Sequence, residues 1–450
     1  MIISLNAPRP RAAGVRATAI AAAVSLLGAV LVAPEALAAG AATSSSAMLL
    51  QMQIMQSQLQ ALTQKVNAQE LRNAEKDSEI KALKQQVDQN KKDLTSLPAY
   101  DFLKDVKMSG YVAASMTETF ENPADQFNRL RTFDTNSHSF NNEAFKLVLE
   151  KATSEESRAG FRVDIMGGRT GRLLGFATRD TPVPTSNLDD FELEQAYVTY
   201  KADVGNGLDL YGGKFVTLLG AEVLESPLNW NISRSILFGF AIPFTHTGVR
   251  ATYAFNDKWN ATFGVNNGWD NENDDNRSYS YEGRIGWIPN DKFSMYLNTI
   301  YGPEQIADNA NDRGVIDLVA TWNATKKLTF MANFDWGHQQ GVPFDVNGDG
   351  MIDTTKNAVW WGGAGYAKYA FTDRFSVAGR AEYFSDEEGY RTGFRQNAWE
   401  FTVTPQFQVT PRLTARVEYR GDFSDAKFFL RNETWVQHQN SILGEVYYMF

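Results

Sequence analysis

The chain has no cysteine in its 450 residues. No disulfide framework, thiol nucleophile or thiolate metal site can be built from it. That absence does not fix a compartment, because oxidising compartments permit disulfides without requiring them. Positive charge is also short: 43 Lys and Arg stand against 53 Asp and Glu, for a net charge of −10. This argues against a nucleic-acid partner, since phosphate contacts need a basic face. Histidine is scarce. His138, His246, His338 and His438 sit in or beside expected loops, and none has a paired metal-ligand spacing. Neither H-E-x-x-H nor G-x-S-x-G occurs, so the familiar hydrolase signatures are missing. Beyond residue 38 no apolar run is long enough to cross a bilayer as a helix. A membrane protein with this sequence must then be a closed barrel, the other structure that satisfies its backbone in lipid.

The N-terminus points to export. Arg9, Arg11 and Arg16 precede an apolar run from Ala17 to Ala33, and Ala36-Leu37-Ala38 has the small-x-small form of a cleavage site. Residues 1–38 read as a bacterial secretory signal peptide. The competing reading is a membrane anchor, but the run is short for a span. This segment carries +2, which leaves −12 for the remainder. Residues 39–47 (AGAATSSSA) form a flexible lead. Residues 48–97 carry an apolar 3.5-residue period with no Pro or Gly. One seam position holds Met52, Leu59, Val66, Asn73, Ile80, Val87 and Leu94; the other holds Met48, Met55, Leu62, Gln69, Lys76, Leu83, Asn90 and Leu97. Such a repeat predicts a coiled coil, whose polar seam residues weaken it but help to fix register. A lone amphipathic helix is the alternative. Self-association implies an oligomer, and the seam does not decide between two and three strands. Leu97-Pro98 ends the helix, and 98–105 is a linker.

From Val106 to the end the period is 2. About sixteen antiparallel strands are expected in 106–450, near 106–119, 140–152, 158–168, 190–203, 207–218, 243–256, 258–270, 276–288, 291–302, 313–324, 327–338, 356–371, 373–384, 395–409, 412–423 and 437–450. Connections alternate between short turns, such as Asn256-Asp257 and Thr410-Pro411, and long loops, such as 120–139, 169–189, 219–242, 303–312 and 339–355. This sorting is the pattern of an outer-membrane barrel. The longest interruption of interest is the third loop, 219–242, since loops of that length are uncommon in compact domains unless functional.

The two strand faces agree. Phe161, Val163 and Ile165 alternate with Arg162 and Asp164; Leu413, Ala415, Val417 and Tyr419 alternate with Thr414, Arg416, Glu418 and Arg420. One face suits lipid and the other water. Trp259, Tyr281, Trp287, Tyr301, Trp322, Trp336, Tyr366, Tyr369 and Tyr383 fall near strand ends, where interfacial aromatic girdles belong. A soluble sandwich would also alternate. The closing strand SILGEVYYMF weighs against it by ending on an aromatic residue, Phe450.

Several stretches resemble the OmpL-like family of β-barrel porins: Gly213-Lys214-Phe215, Gly220-Ala221-Glu222, Asn231-Ile232-Ser233-Arg234-Ser235, Pro243 and His246-Thr247-Gly248, with MSGYVAASMTETFENP (108–123) and ELEQAYVTY (192–200). The resemblance covers about three quarters of the chain. It implies an outer-membrane pore and no firm substrate. In architecture alone, the chain is also similar to trimeric dicarboxylate-type porins with an N-terminal periplasmic coiled coil.

Strand parity turns Lys146, Arg162, Arg250, Arg284, Arg380, Arg416 and Arg420 inward, together with Asp164, Glu282, Asp317, Asp335, Glu382, Glu400 and Glu418. Opposite charges facing across a narrow lumen would order water and sort solutes. Glu222, Glu225 and Arg234, on the third loop, are expected to meet this set at a constriction, or else to pair structurally and hold the loop to the wall. A second candidate is Asp345-Val-Asn347-Gly-Asp349-Gly350-Met-Ile352-Asp353, which has the opening pattern of a calcium loop. Its twelfth position is Lys356 rather than a bidentate Glu, so a weak Ca²⁺ site and a plain Gly-rich turn both remain. The acidic run Asp270 to Asn276 reads as a solvated loop. No cofactor is otherwise required.

The reading reached is an outer-membrane porin of a Gram-negative bacterium, passing small hydrophilic solutes and ions by passive diffusion. Its expected partners are outer-membrane lipid, two further copies in a homotrimer, and peptidoglycan through the periplasmic coil, with no nucleic acid. The alternatives are a structural envelope protein with a plugged barrel and a coiled-coil tether, and a barrel lipid hydrolase.

Overall fold

The computed structural model describes residues 43–96, 104–177, 191–344 and 354–450. It divides into two compact units, residues 1–100 and 101–450. The expected signal peptide, 1–38, and the calcium-like residues Asp345, Asn347, Asp349 and Asp353 lie outside the described residues.

Among the described residues, the first unit contains one helix, α1 (Thr43–Thr95). Nothing in its sequence breaks a helix, and Leu, Gln, Lys and Ala favour one. It starts before the expected 48, and Leu97 lies outside the described residues. The seam residues Met52, Leu59, Val66, Ile80 and Val87 are all about half exposed or more in the single chain.

The second unit is a closed antiparallel barrel. Its strands run β1 (Lys107–Thr119), β2 (Ser139–Lys151), β3 (Ala159–Gly167), β4 (Phe191–Ala202), β5 (Leu208–Val216), β6 (Thr245–Ala254), β7 (Trp259–Asn266), β8 (Ser280–Asn290) and β9 (Phe293–Gln305). They continue with β10 (Asp308–Asn323), β11 (Leu328–Phe344), β12 (Thr354–Ala370), β13 (Phe375–Asp386), β14 (Gln396–Gln408) and β15 (Leu413–Ser424). A small hairpin, β16 (Phe429–Arg431) and β17 (Thr434–Val436), interrupts the last long loop before β18 (His438–Met449). β18 pairs with both β15 and β1, closing sixteen strands without an edge. Closure matters because an open edge cannot satisfy its backbone in lipid.

Parity sets the two surfaces. On β14, Trp399, Phe401 and Val403 are exposed at 42–43%, while Glu400, Thr402 and Thr404 are buried at 0–2%. The sheet is thus apolar outside and polar inside, the reverse of a soluble sandwich. The girdle aromatics Trp259, Tyr281, Tyr301, Trp322, Trp336, Tyr369 and Tyr383 face outward. Tyr366 does not: it faces inward, edge-on to Trp230 at 6.4 Å. Adjacent strands also run further than expected. The segment 303–312 is mostly strand, because β9 and β10 continue together to a turn at 306–307. The second long loop holds a short helix, α2 (Gly168–Ala177).

Candidate functional site: the barrel lumen and its inner loop

The segment 217–244 between β5 and β6 does not lie over the mouth. It crosses the interior and is bonded to the far wall. Gly220, at φ +88°, makes the inward turn that a Cβ would strain. Ala221 N–H then donates to Asn333 on β11 at 3.3 Å. Next the loop meets a row of buried ions on β13, β15 and β18. Arg380 binds Glu222 at 2.6 Å and donates to the Ser233 carbonyl at 2.8 Å. Arg416 pairs with Glu445 and donates to the carbonyls of Ser226 and Asn229 at 2.9 and 3.0 Å. Arg420 donates to the Arg234 carbonyl at 2.5 Å and to Asp422 at 2.8 Å. Glu418 accepts the N–H groups of Ile232 and Ser233, and Glu382 those of Ile236 and Leu237. Glu400 binds Arg380 at 2.6 Å. Buried charges persist only when paired and hydrogen-bonded, and here the partners are the wall and the loop backbone.

Apolar packing completes the seat. Leu218, Leu219, Leu224, Ile236, Leu237, Phe238, Ala241, Ile242 and Phe244 of the loop join one cluster with wall residues Ile300, Val315, Trp360 and Phe384. Leu130 and Phe133 from the first long loop and Leu174 from α2 enter the same cluster. Burying a Leu, Ile or Phe side chain stabilises by about 1.5–3 kcal/mol. Swinging this loop out would expose eight such side chains at once, so it is a fixture and not a thermally driven flap.

Near the mouth a third anchor forms. Asp270 accepts the N–H groups of Phe244 and Thr245 at 2.6 and 2.9 Å. The guanidinium groups of Arg313 and Arg391 both pack on the neighbouring Trp269 ring, at 4.9 and 4.7 Å from its centre. Burial pushes the Asp270 carboxyl up to about 6, against the two N–H donors and the nearby arginines. Asp270 is therefore buried, not part of a solvated acidic loop; its side chain turns inward to cap the end of the third loop.

The other side of the lumen differs. Arg162 on β3 is held by Asp164 at 2.8 Å, Arg250 on β6 by Glu282 at 2.7 Å. Arg284 on β8 donates to Asn298 at 2.6 Å and to the Leu218 carbonyl. These three arginines are only partly buried. Each has a tyrosine close by: Arg162 faces Tyr197 and Arg250 faces Tyr211 in register, while the Arg284 guanidinium lies 5.1 Å from the Tyr296 ring. A cavity of about 370 Å³ lies here, lined by Arg162, Gln195, Tyr197 and Arg284 and by loop residues 216–225. A wider depression, about 600 Å³, lies over Gly365, Gly379 and Trp322 and is almost wholly apolar; Gly365 and Trp322 belong to the lipid face.

Every inward residue expected from parity is on the lumenal side, but not across open water from its opposite. Lys146 contacts Asp164 at 2.8 Å, Glu194 at 3.0 Å, and Glu225. The oxygens of Asp164, Glu194 and Glu225 lie within 4.8 Å of one another. The Lys146 ammonium is the cation they share. Glu222, Glu225 and Arg234 are all buried, and Arg234 donates to the carbonyls of Ile232 and Leu224. Asp317 accepts from Asn298 at 2.5 Å and Asn333 at 2.6 Å, and Asp335, directly opposite it in register, meets it carboxyl to carboxyl. Lys356, at the end of the calcium-like segment, lies on β12 with its ammonium 5.6 Å from the Phe344 ring.

Three participants escaped sequence reasoning. Glu194 is the extra residue of a bulge between β3 and β4, so it turns inward against strict alternation. Glu143 does the same in β2 and accepts from Ser115 at 2.6 Å. Glu445 carried a signal: it is the lone charge in a closing strand whose other face is apolar.

Comparison with known proteins decides the family. Residues 105–450, more than half of the chain, match the family described as "Putative beta-barrel porin-2, OmpL-like". The chain belongs to that family. It is a family of porins and not of enzymes, so the lipid-hydrolase alternative falls. No curated protein matches in sequence. Among solved structures, the OmpL-like porin chain is similar to the outer membrane channel DcaP of Acinetobacter baumannii, with 11% identity, TM-score 0.51, and 77% of this chain and 97% of that one covered. The anion-selective porin from Comamonas acidovorans gives 10%, 0.51, 77% and 99%. OprB of Pseudomonas putida gives 12%, 0.52, 78% and 96%. At such identities the likeness concerns the fold. Family and fold together make this an outer-membrane β-barrel with a porin role.

Proposed function

We propose that this OmpL-like porin passes small hydrophilic solutes and ions by passive diffusion, along an off-centre route between the third loop and strands β3, β4 and β8. The observation that supports this is the cavity of about 370 Å³ beside residues 216–225, into whose mixed lining Arg162, Gln195 and Arg284 of the wall enter. In this reading the loop narrows the pore by filling the opposite side, and Glu222, Glu225 and Arg234 act as its anchors. The pore-lining role then falls on Arg162, Arg250 and Arg284. Single-channel recording in planar bilayers tests it: discrete steps support diffusion through the lumen, and silence overturns it.

A second reading is favoured by one feature, the apolar cluster inside the barrel. A barrel plugged by that cluster would serve as an envelope tether, with α1 as its reach. We further propose that α1 lies in the periplasm and that its exposed seam, Met52 to Val87, packs on two other copies in a homotrimer. Removing residues 43–95 should then convert trimers to monomers in gentle detergent. Peptidoglycan contact through the helix would show as co-sedimentation with purified sacculi. A weak Ca²⁺ site at Asp345, Asn347, Asp349 and Asp353 would show as a modest loss of thermal stability on adding EDTA.

A further inference from the structure

We propose that the off-centre route selects small organic anions, and that Arg284 is the residue that grips their carboxylate. The proposal rests on the diffusion reading above. It follows from which groups along the route have unused hydrogen-bonding capacity.

The carboxylates beside the cavity are occupied. Glu222 accepts from Arg380 with one oxygen and from the Ser235 N–H with the other. Glu225 binds Lys146. Asp164 takes two N–H groups of Arg162 at 2.8 and 2.9 Å. Glu282 takes two from Arg250 at 2.7 and 2.9 Å. Except for the second Glu225 oxygen, the acceptors that a cation would meet along the route are already hydrogen-bonded.

The donors are not exhausted. Among the described residues no carboxylate lies within 4.0 Å of the Arg284 guanidinium, which is only partly buried. Its Nε donates to Asn298 Oδ1 at 2.6 Å and its Nη2 to the Leu218 carbonyl, while Nη1 has no hydrogen-bond partner among the described residues. Asn298 is itself fixed, because its amide donates to Asp317 at 2.5 Å. The Tyr296 ring lies beside the guanidinium at 5.1 Å, and Arg284 lines the cavity. A guanidinium held flat with free edge donors matches a carboxylate, with charge and geometry acting together. The tyrosines of β4 and β5, whose rings meet at 5.7 Å, give the apolar part of such a solute a surface to slide on.

The full chain is reconstituted in planar bilayers under a KCl gradient, and benzoate is then added to one side. The wild type should prefer chloride to potassium, and benzoate should reduce its current. Arg284→Gln should need roughly tenfold more benzoate for the same block, and Arg284→Lys should keep the ion preference while binding benzoate less well. Preference for potassium, indifference to benzoate, or a Gln variant as sensitive as the wild type would overturn the assignment while leaving the diffusion reading intact. Silent bilayers would overturn both. Arg284 also holds Leu218, so barrel folding of each variant is checked by heat-modifiable gel mobility; should the Gln variant not fold, the wild-type preference and block still decide.

Discussion

The lumen has two unlike halves built from the same residue types. Along β13, β15 and β18, arginines and glutamates are fully buried and committed to the third loop. Along β3, β6 and β8, arginines are partly exposed, and two of the three are held chiefly by wall carboxylates, with Arg250 donating also to the Val216 carbonyl at the end of β5. The difference lies in where the loop was laid, not in composition. A charge on the covered half works as a structural bolt; the same charge on the uncovered half remains available to solutes.

The largest break in this contrast should come from Arg416→Ala. It strands Glu445 and frees the Ser226 and Asn229 carbonyls. Removing one partner of a buried pair costs about 3–5 kcal/mol, so the urea midpoint should drop sharply and open-channel noise should rise. A smaller effect is expected at Asp270. Its carboxyl titrates at about 6 when folded, against about 3.9 when exposed. The raised value means that its stabilising contribution is complete below pH 4, declines between pH 4 and 6 and is gone above that. The window is worth on the order of 2–3 kcal/mol. Asp270→Asn keeps an acceptor for Phe244 and Thr245 and should remove that component of the slope in pH-dependent unfolding; an unchanged slope would show that Asp270 is not its source.

Asp335→Asn should change stability far less. Asp335 is fully buried and meets Asp317 carboxyl to carboxyl. Two carboxyls so close share a proton rather than both ionise, and an Asn amide can donate in its place, so the shift in the same unfolding assay should stay within about 1 kcal/mol; a loss of several kcal/mol would mean that Asp335 is charged and paired. The smallest change belongs to the uncovered half. Arg162→Gln leaves Asp164 with Lys146 and Gln195, and a partly exposed pair of this kind is worth up to about 1 kcal/mol. A drop as large as that of Arg416→Ala would erase the distinction between the halves.

Much of this architecture was legible in the residues. Alternation at Trp399 to Thr404 and at Leu413 to Arg420 requires one apolar and one polar face. The order of short turns and long loops gave sixteen strands in sequence positions close to those observed. The inward charges were legible for the same reason, since period 2 admits no other face. Departures came where that period breaks. Glu143 and Glu194 sit in bulges, which shift parity by one and carry no mark in a single sequence. Trp360 and Trp361 are adjacent and identical, yet one is buried inside and the other exposed; the repeat alone cannot say which ring the loop will need.

What the sequence determined by itself was the wall, because a barrel strand is specified by local alternation and each residue needs only its neighbours to choose a side. What the tertiary structure decided was the use of the interior. Whether an inward arginine becomes a bolt or a binding edge depends on which arc a loop from β5 reaches across the lumen. That depends on contacts between residues more than a hundred positions apart, such as Glu222 with Arg380 and Ala241 with Trp360. No periodicity encodes such pairings, since they arise only once the ring has closed and brought opposite walls within reach of one chain.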